Sequence, residues 1–520
     1  MFIEAFRAST RRLAALTACA GTFLIPDIVV AQVGNPASGE QVYRFETFGN
    51  ERFWTDAVRL PQGMMAAQFT PLNALELGLQ VDADALPFVV QSALARELRT
   101  DRSRRHAPLI NSPRVMDALI DANAIIGLVA KDSNGDGRID IRSGDKVGVS
   151  CALCHSITDG SVFHPRTQQM GSIGRRQDGR ATHSIDVGGL FALGANSRAL
   201  YPNLQLQMPD GSSIGRAPRG LTARSTEAEV DAYFSNKHFY PRGLFDDSPD
   251  GIGNAIQNVP LFRTDLSAPY GSAGEHALLD DFGNAVYTVL LDMTTVATPE
   301  GRAFLTIRAG AAGAKLSDDY KQILAETGVT GYPFIQATAG FMPGAPATPV
   351  GRRVDQQKLL DMNAFTNGLP APPGARVNPV ASSRGMELFL TKCSSCHNVD
   401  PGVPVPSFLV PPQVIFPNYR PKVLLVRMPP QDPVQNSPGI FDDKYVVNDS
   451  SDRGTPRGNA VTLLLDLARK PQFLHDGSVP SLERLLNPSR GLGAPHPFYI
   501  EGSRQRYDVV EFLRSLGSGY

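Results

Sequence analysis

Cys151-Ala152-Leu153-Cys154-His155 and Cys393-Ser394-Ser395-Cys396-His397 are two Cys-x-x-Cys-His pentapeptides that use every cysteine of this 520-residue chain except Cys19. Each has the form of a covalent c-type haem attachment site. Two thiols add across the haem vinyl groups as thioethers, and the adjacent histidine turns its imidazole onto the iron as proximal ligand. A zinc site built from the two Cys-x-x-Cys pairs would need thiolates to converge from opposite ends of the chain, and it gives no reason for the two histidines.

The composition agrees with a large protein built around cofactors. Hydrophobic residues make up 42%, enough for sizeable cores in two to four domains. The 48 glycines and 41 prolines point to many turns and long connections. A formal net charge of -1 leaves no electrostatic footprint for nucleic acid or an acidic membrane surface.

At the N-terminus, Arg7, Arg11 and Arg12 precede an apolar stretch from Leu13 to Val30, with small residues around Ala31. This pattern predicts an export signal over residues 1–31, cleaved near Ala31, and a periplasmic or secreted mature chain. Thr17, Gly21, Pro26 and Asp27 interrupt the stretch, and no later segment approaches twenty uninterrupted apolar residues, so no transmembrane span is expected in the mature chain. Two variants stay open: a lipoprotein box at Leu16-Thr17-Ala18-Cys19 and a twin-arginine signal at Thr10-Arg11-Arg12.

The expected fold is mainly α, with two cytochrome c-like haem domains in tandem, long loops and an insertion in the first. Residues 32–110 read as an N-terminal extension laid over the first domain, with the sole tryptophan, Trp54, as a packing residue. The first domain, 111–370, opens with a helix predicted over Pro113–Val129 and closes with a helical run through Leu359, Leu360, Met362 and Phe365. A Pro-rich connection spans 371–383. The second domain, 384–520, opens with a helix leading into Cys393 and closes with one from Tyr507 to Leu516. Both domains follow one plan, a degenerate tandem repeat, and the stretch from His155 to Gln357 is much the longer of the two interiors.

Just upstream of the first motif, Asp132-Ser133-Asn134-Gly135-Asp136-Gly137-Arg138-Ile139-Asp140 resembles a calcium loop. Asp132, Asn134, Asp136, Arg138 and Asp140 occupy positions 1, 3, 5, 7 and 9 of an EF-hand pattern, with Gly137 at 6 for the sharp turn. Position 12 is Ser143, so Asp145 or water would complete the site. Bound calcium would brace the entry to the first haem.

The division of labour depends on the sixth ligands, because a haem with both axial positions filled moves electrons and one with an open position can bind peroxide or oxygen. Candidates for the second haem are His475, His496 and Met428, the last presented in Met428-Pro429. Around the first haem, His164, His183, His238 and His276 are possible distal groups, with Glu275 as an acid/base partner for His276. Arg175, Arg176 and Arg180 are candidate partners for haem propionates.

The run Phe473-Leu474-His475-Asp476-Gly477-Ser478-Val479-Pro480-Ser481-Leu482-Glu483-Arg484-Leu485 resembles the C-terminal signature of the bacterial di-haem cytochrome c peroxidase superfamily, which includes the MauG-type enzymes and the rubber oxygenases. The resemblance implies that His475 lies near the second haem and that His496 is its sixth ligand. It implies a C-terminal electron-transfer haem, fed by a small donor such as a cytochrome c or a copper protein, and an N-terminal catalytic haem that reduces peroxide or activates oxygen. The chain departs from the classical peroxidases: it lacks their Trp-Asp-Gly-Arg segment and has no tryptophan after Trp54, so Tyr270 or another aromatic would stand between the haems. A purely electron-transferring di-haem cytochrome and a rubber-oxygenase-like enzyme on an organic substrate are the rival readings.

Overall fold

The computed structural model describes residues 33–517 except 168, 205–220, 238–239, 241, 247–254, 399, 401, 416–450, 453–454, 457, 475–476 and 478. The expected export signal with Cys19, and the candidates His238, Met428 and His475, lie outside the described residues. Those described are mainly helical, with six two-stranded sheets. Six helices carry the layout: α1 (Pro36–Phe45), α2 (Pro113–Asp121), α3 (Pro299–Glu326), α4 (Gln356–Gly368), α5 (Pro379–Lys392) and α6 (Ser503–Ser515).

α1 starts where Pro36 takes the first helical position and the Asn35 side chain accepts the N–H groups of Ala37 and Ser38. It crosses α4 at Gly39, where a Cβ would lie 1.9 Å from the Asp361 carbonyl oxygen and 2.9 Å from Phe365 Cβ. Only glycine lets the two backbones approach so closely. One turn on, Tyr43 meets Phe365 edge to face, with ring centroids 5.4 Å apart. The Asp361 carboxylate closes the crossing by accepting the Asn35 N–H at 2.7 Å.

α5 and α6 repeat this device. Asn378 caps α5 before Pro379, and a Cβ on Gly385 would lie 2.0 Å from the Asp508 carbonyl oxygen and 2.9 Å from Phe512 Cβ. Phe389 and Phe512 form the matching aromatic pair at 5.3 Å. Here Asp508 takes a bidentate pair from Arg384, at 2.8 and 2.7 Å, and Glu511 accepts the Asn378 N–H.

The helix expected over Pro113–Val129 is corrected in two ways. α2 stops at Asp121, because Asn123 and Gly127 adopt φ of 51° and 82°, outside the helical region, and the chain continues as β1 (Leu128–Lys131), paired antiparallel with β2 (Lys146–Val149). The helix that crosses the first closing helix is α1, inside the stretch read as an extension. The first helix pair is therefore interrupted twice, by 46–150 and by 156–355. Residues from both stretches build the largest apolar core, in which Trp54 packs against Phe53 and Phe191. The C-terminal stretch of α3 joins this core through Leu316, Tyr320, Ile323 and Leu324.

The connection after α4 is packed, not loose. Ala375 N–H donates to the Arg514 carbonyl at 2.8 Å, a Cβ on Gly374 would lie 1.9 Å from the Ser515 carbonyl, and α5 begins at Pro379. Contacts group the chain from Gly34 onward into one unit.

Candidate functional site

The first motif forms a short helical turn, Ala152–His155, between β2 and the next strand, β3 (Ser156–Thr158), which pairs with β4 (Arg176–Asp178). The C-terminal end of α1 holds it in place. Tyr43 Oη donates to the His155 carbonyl and accepts the Gly179 N–H at 3.1 Å, and Ser150 Oγ donates to the Arg44 carbonyl at 2.8 Å. Thr182 N–H donates to the Cys154 carbonyl at 2.9 Å from the other side.

His155 Nδ1 lies 2.6 Å from the Val259 carbonyl oxygen. A carbonyl only accepts, so Nδ1 carries the proton and Nε2 presents a lone pair, the tautomer a metal ligand needs. Burial lowers the imidazole pKa to about 4, which keeps it neutral. Burial also pushes the Cys151 and Cys154 thiols up, to about 11 and about 12. Uncharged thioethers suit this environment. Two neighbours carried no sequence signal: the buried Tyr287, whose hydroxyl is 3.3 Å from Cys151 Sγ, and Met362, whose sulfur is 3.7 Å from it. Tyr287 sits in a single π-helical turn, Val286–Leu290, a local irregularity that periodicity cannot reveal.

Gly127 abuts this motif at φ 82°, and a Cβ there would lie 2.1 Å from the Leu153 nitrogen. Gly127→Ala is expected to push the Cys151–His155 turn out of place and leave the other motif intact. If both motifs carry covalent haem, absorbance of the purified variant should show half that of the wild type; full loading would refute the role of this contact.

The second motif follows α5 directly. The rings of His397 and His496 lie at a centroid distance of 6.4 Å, inclined at 50°, with Phe389 beside His397 and Phe498 edge-on to His496. An imidazole bound through one nitrogen at about 2 Å puts its centroid about 3 Å from the metal, so two opposed ligands stand about 6 Å apart. The observed 6.4 Å is close to that separation. Burial lowers the pKa of both, that of His496 to about 4 with His397 and Arg490 adding to it, so both are neutral. Neither Nδ1 has a hydrogen-bond partner among the described residues. His496 itself adopts φ 55° between Pro495 and Pro497, held by its own N–H on the Ile415 carbonyl at 2.7 Å and by Arg490 Nη1 on the Pro495 carbonyl. Such a conformation in a non-glycine residue is a local cost that functional sites tolerate.

The distal candidates of the first haem are scattered. His164 is exposed. His183 follows Thr182 and is the candidate tied to the first motif, its pKa held well below the ordinary value by burial and by Arg469 and Lys470. Glu275 and His276 lie in a loop whose Ser272 carbonyl accepts the Ala460 N–H at 2.9 Å, so this loop leans on the segment around the second motif. Tyr270 donates its hydroxyl to the Thr264 carbonyl. Arg176 is buried against Asp82 at 2.9 Å and covers the Phe45 ring, which commits it structurally.

The loop from Asp132 to Asp145 joins β1 to β2, so strands rather than helices flank it. Asp132 accepts the N–H groups of Gly135 and Gly137, Asn134 that of Asp136, and Asp136 that of Arg138. Asp145 accepts from Asp140, Ser133 and Asn134, and the Asp140 N–H is the main reason its carboxyl is held below the ordinary range. Among the described residues, no group of three or more His, Cys, Asp or Glu side chains is arranged to hold a metal ion. No described helix is long and apolar enough to cross a membrane.

No family model matches the chain, and no curated protein matches it. Among solved structures it is similar to a hydrazine synthase of Kuenenia stuttgartiensis pressurised with xenon, at 13% identity and a TM-score of 0.29, over 62% of this chain and 87% of that one. A likeness of that size establishes neither a shared fold nor a shared activity.

Proposed function

We propose that this protein is an exported oxidoreductase carrying two covalently attached c-type haems, a C-terminal electron-transfer centre and an N-terminal catalytic centre. The neighbouring rings of His397 and His496 carry the reading, since two neutral imidazoles at a 6.4 Å separation could both bind one haem iron. When bound, such a haem exchanges electrons, and one with an open axial position takes up peroxide or oxygen. Cys393 and Cys396 would hold the second haem by their sulfurs, and His397 and His496 would be its histidine ligands. At the first site, the Val259 carbonyl orients His155, and Tyr287 holds a proton beside Cys151. A small donor protein would supply electrons in the exported compartment, as the superfamily resemblance implies.

The deciding experiment is expression with a c-type haem maturation system, followed by pyridine haemochrome assay and electron paramagnetic resonance. Two covalent haems, one low-spin and one high-spin and reactive with peroxide or oxygen, are expected. Two low-spin haems inert to peroxide and carbon monoxide would leave only electron transfer. Chains without covalent haem would end the proposal.

Calcium belongs to the same proposal, at the loop beside the first motif. Millimolar calcium is expected to raise the melting temperature and a chelator to reverse it, with Asp132→Ala abolishing the response. A melting curve indifferent to calcium in the wild type refutes the site.

A further inference from the structure

The segment from Asp466 to Phe473 runs between the two motifs. Arg469 Nη1 donates to the Ala181 carbonyl at 3.1 Å, next to Thr182, whose N–H is on the Cys154 carbonyl. At the other end, Phe473 shares an apolar cluster with Phe389 and Cys393. This strip touches the surroundings of both haem attachment sites.

Its charges do not balance. Arg180 and Arg469 gather here with Asp466, which is paired with Arg469, and Arg469 and Lys470 both act on His183. Arg180 and Arg469 line a cavity of about 400 Å³ with Asp466 and the Pro372-Pro373 turn. The Arg180 guanidinium, next to Arg469, has its pKa lowered by burial and by that neighbour. The Lys470 ammonium lies 5.8 Å from the centroid of the Phe473 ring, and burial brings its pKa down to about 8. Neither cation donates to an acceptor among the described residues. Cations partly withdrawn from water gain from paired anions, so the cluster suits anionic ligands. Among the described residues, three cations against one carboxylate leave two positive charges, the number of propionates on one haem.

We propose that Arg180, Arg469 and Lys470 form a carboxylate clamp between the two motifs, and that its ligands are haem propionates. The clamp rests on the haem reading above. Propionates are favoured over a dissolved dicarboxylate because the thioether bonds tether them beside this strip, and guanidinium pairs well with carboxylate.

The test uses the haem-loaded full chain, with Arg180→Gln, Lys470→Gln and the charge-preserving Lys470→Arg. Midpoint potentials come from spectroelectrochemical titration, and the propionate bending band from resonance Raman spectra. A nearby cation favours the reduced haem, so each neutral substitution should lower one midpoint potential by about 59 mV, a tenfold change in the reduction constant, and shift the propionate band. Lys470→Arg should restore both, which a merely structural lysine would not. Unchanged potentials and band in both neutral variants overturn the clamp. Wild-type potentials that move saturably with added succinate, with an unmoved propionate band in the variants, overturn the propionate assignment in favour of a solute anion. A wild type with no covalent haem refutes the haem reading itself and takes the clamp with it.

Discussion

His496→Ala is expected to convert the second haem from low-spin to high-spin and to open it to carbon monoxide, with added imidazole restoring the low-spin spectrum. The expectation follows from how His496 is held. A histidine between Pro495 and Pro497 has few backbone conformations to lose, and its N–H on Ile415 and the Arg490 contact to Pro495 fix the one it has. The ring is kept neutral by burial, so no proton competes with the metal. Truncation to alanine leaves this scaffold standing and removes only the ligand. Absorption and electron paramagnetic resonance spectra read the outcome directly. A variant that stays low-spin would transfer the role to Met428 or His475.

The two Cys-x-x-Cys-His motifs were legible because covalent haem attachment needs a fixed local spacing, while His496 was only one of three candidates, singled out by the family-like tail. The closing helices were equally legible: Leu359, Met362 and Phe365 recur at helical spacing, and so do Val509, Phe512 and Leu516. What failed was the opening helix of the first unit. Pro113–Val129 has a strong apolar face, so periodicity selected it, whereas α1 is less amphipathic and sits far upstream of its motif. A finer signal was present in both units. Asn35-Pro36 precedes Gly39 and Tyr43 as Asn378-Pro379 precedes Gly385 and Phe389, and Asp361 and Phe365 answer to Asp508 and Phe512. These residues mark a close helix crossing, which depends on small and aromatic residues at particular places and not on average hydrophobicity. Tyr287 and the cationic strip at 469–470 were not legible, since they meet their neighbours across long stretches of chain.

The matched crossings also yield the most severe structural prediction. Gly39→Val and Gly385→Val would each place a branched side chain where a single Cβ already comes within 2.0 Å of a backbone carbonyl, of Asp361 or Asp508. Neither carbonyl can move away, because each belongs to a helix whose hydrogen bonds it supports. The helices must separate, which breaks the Tyr43–Phe365 or Phe389–Phe512 ring pair and the caps tied to it. Overpacking that cannot relax, combined with lost aromatic contact, should cost about 4 kcal/mol or more. Each variant should lose the haem of its own helix pair first, Gly39→Val that of His155 and Gly385→Val that of His397, because α1 and α5 lead the contacts that seat the motifs. Gly368→Ala supplies the control: nothing lies within 4 Å of a Cβ there, and its stability should stay within about 0.5 kcal/mol of wild type. Chemical denaturation and haem stoichiometry together decide it. A Gly39→Val protein with wild-type stability and both haems would show that α1 and α4 do not need their close approach.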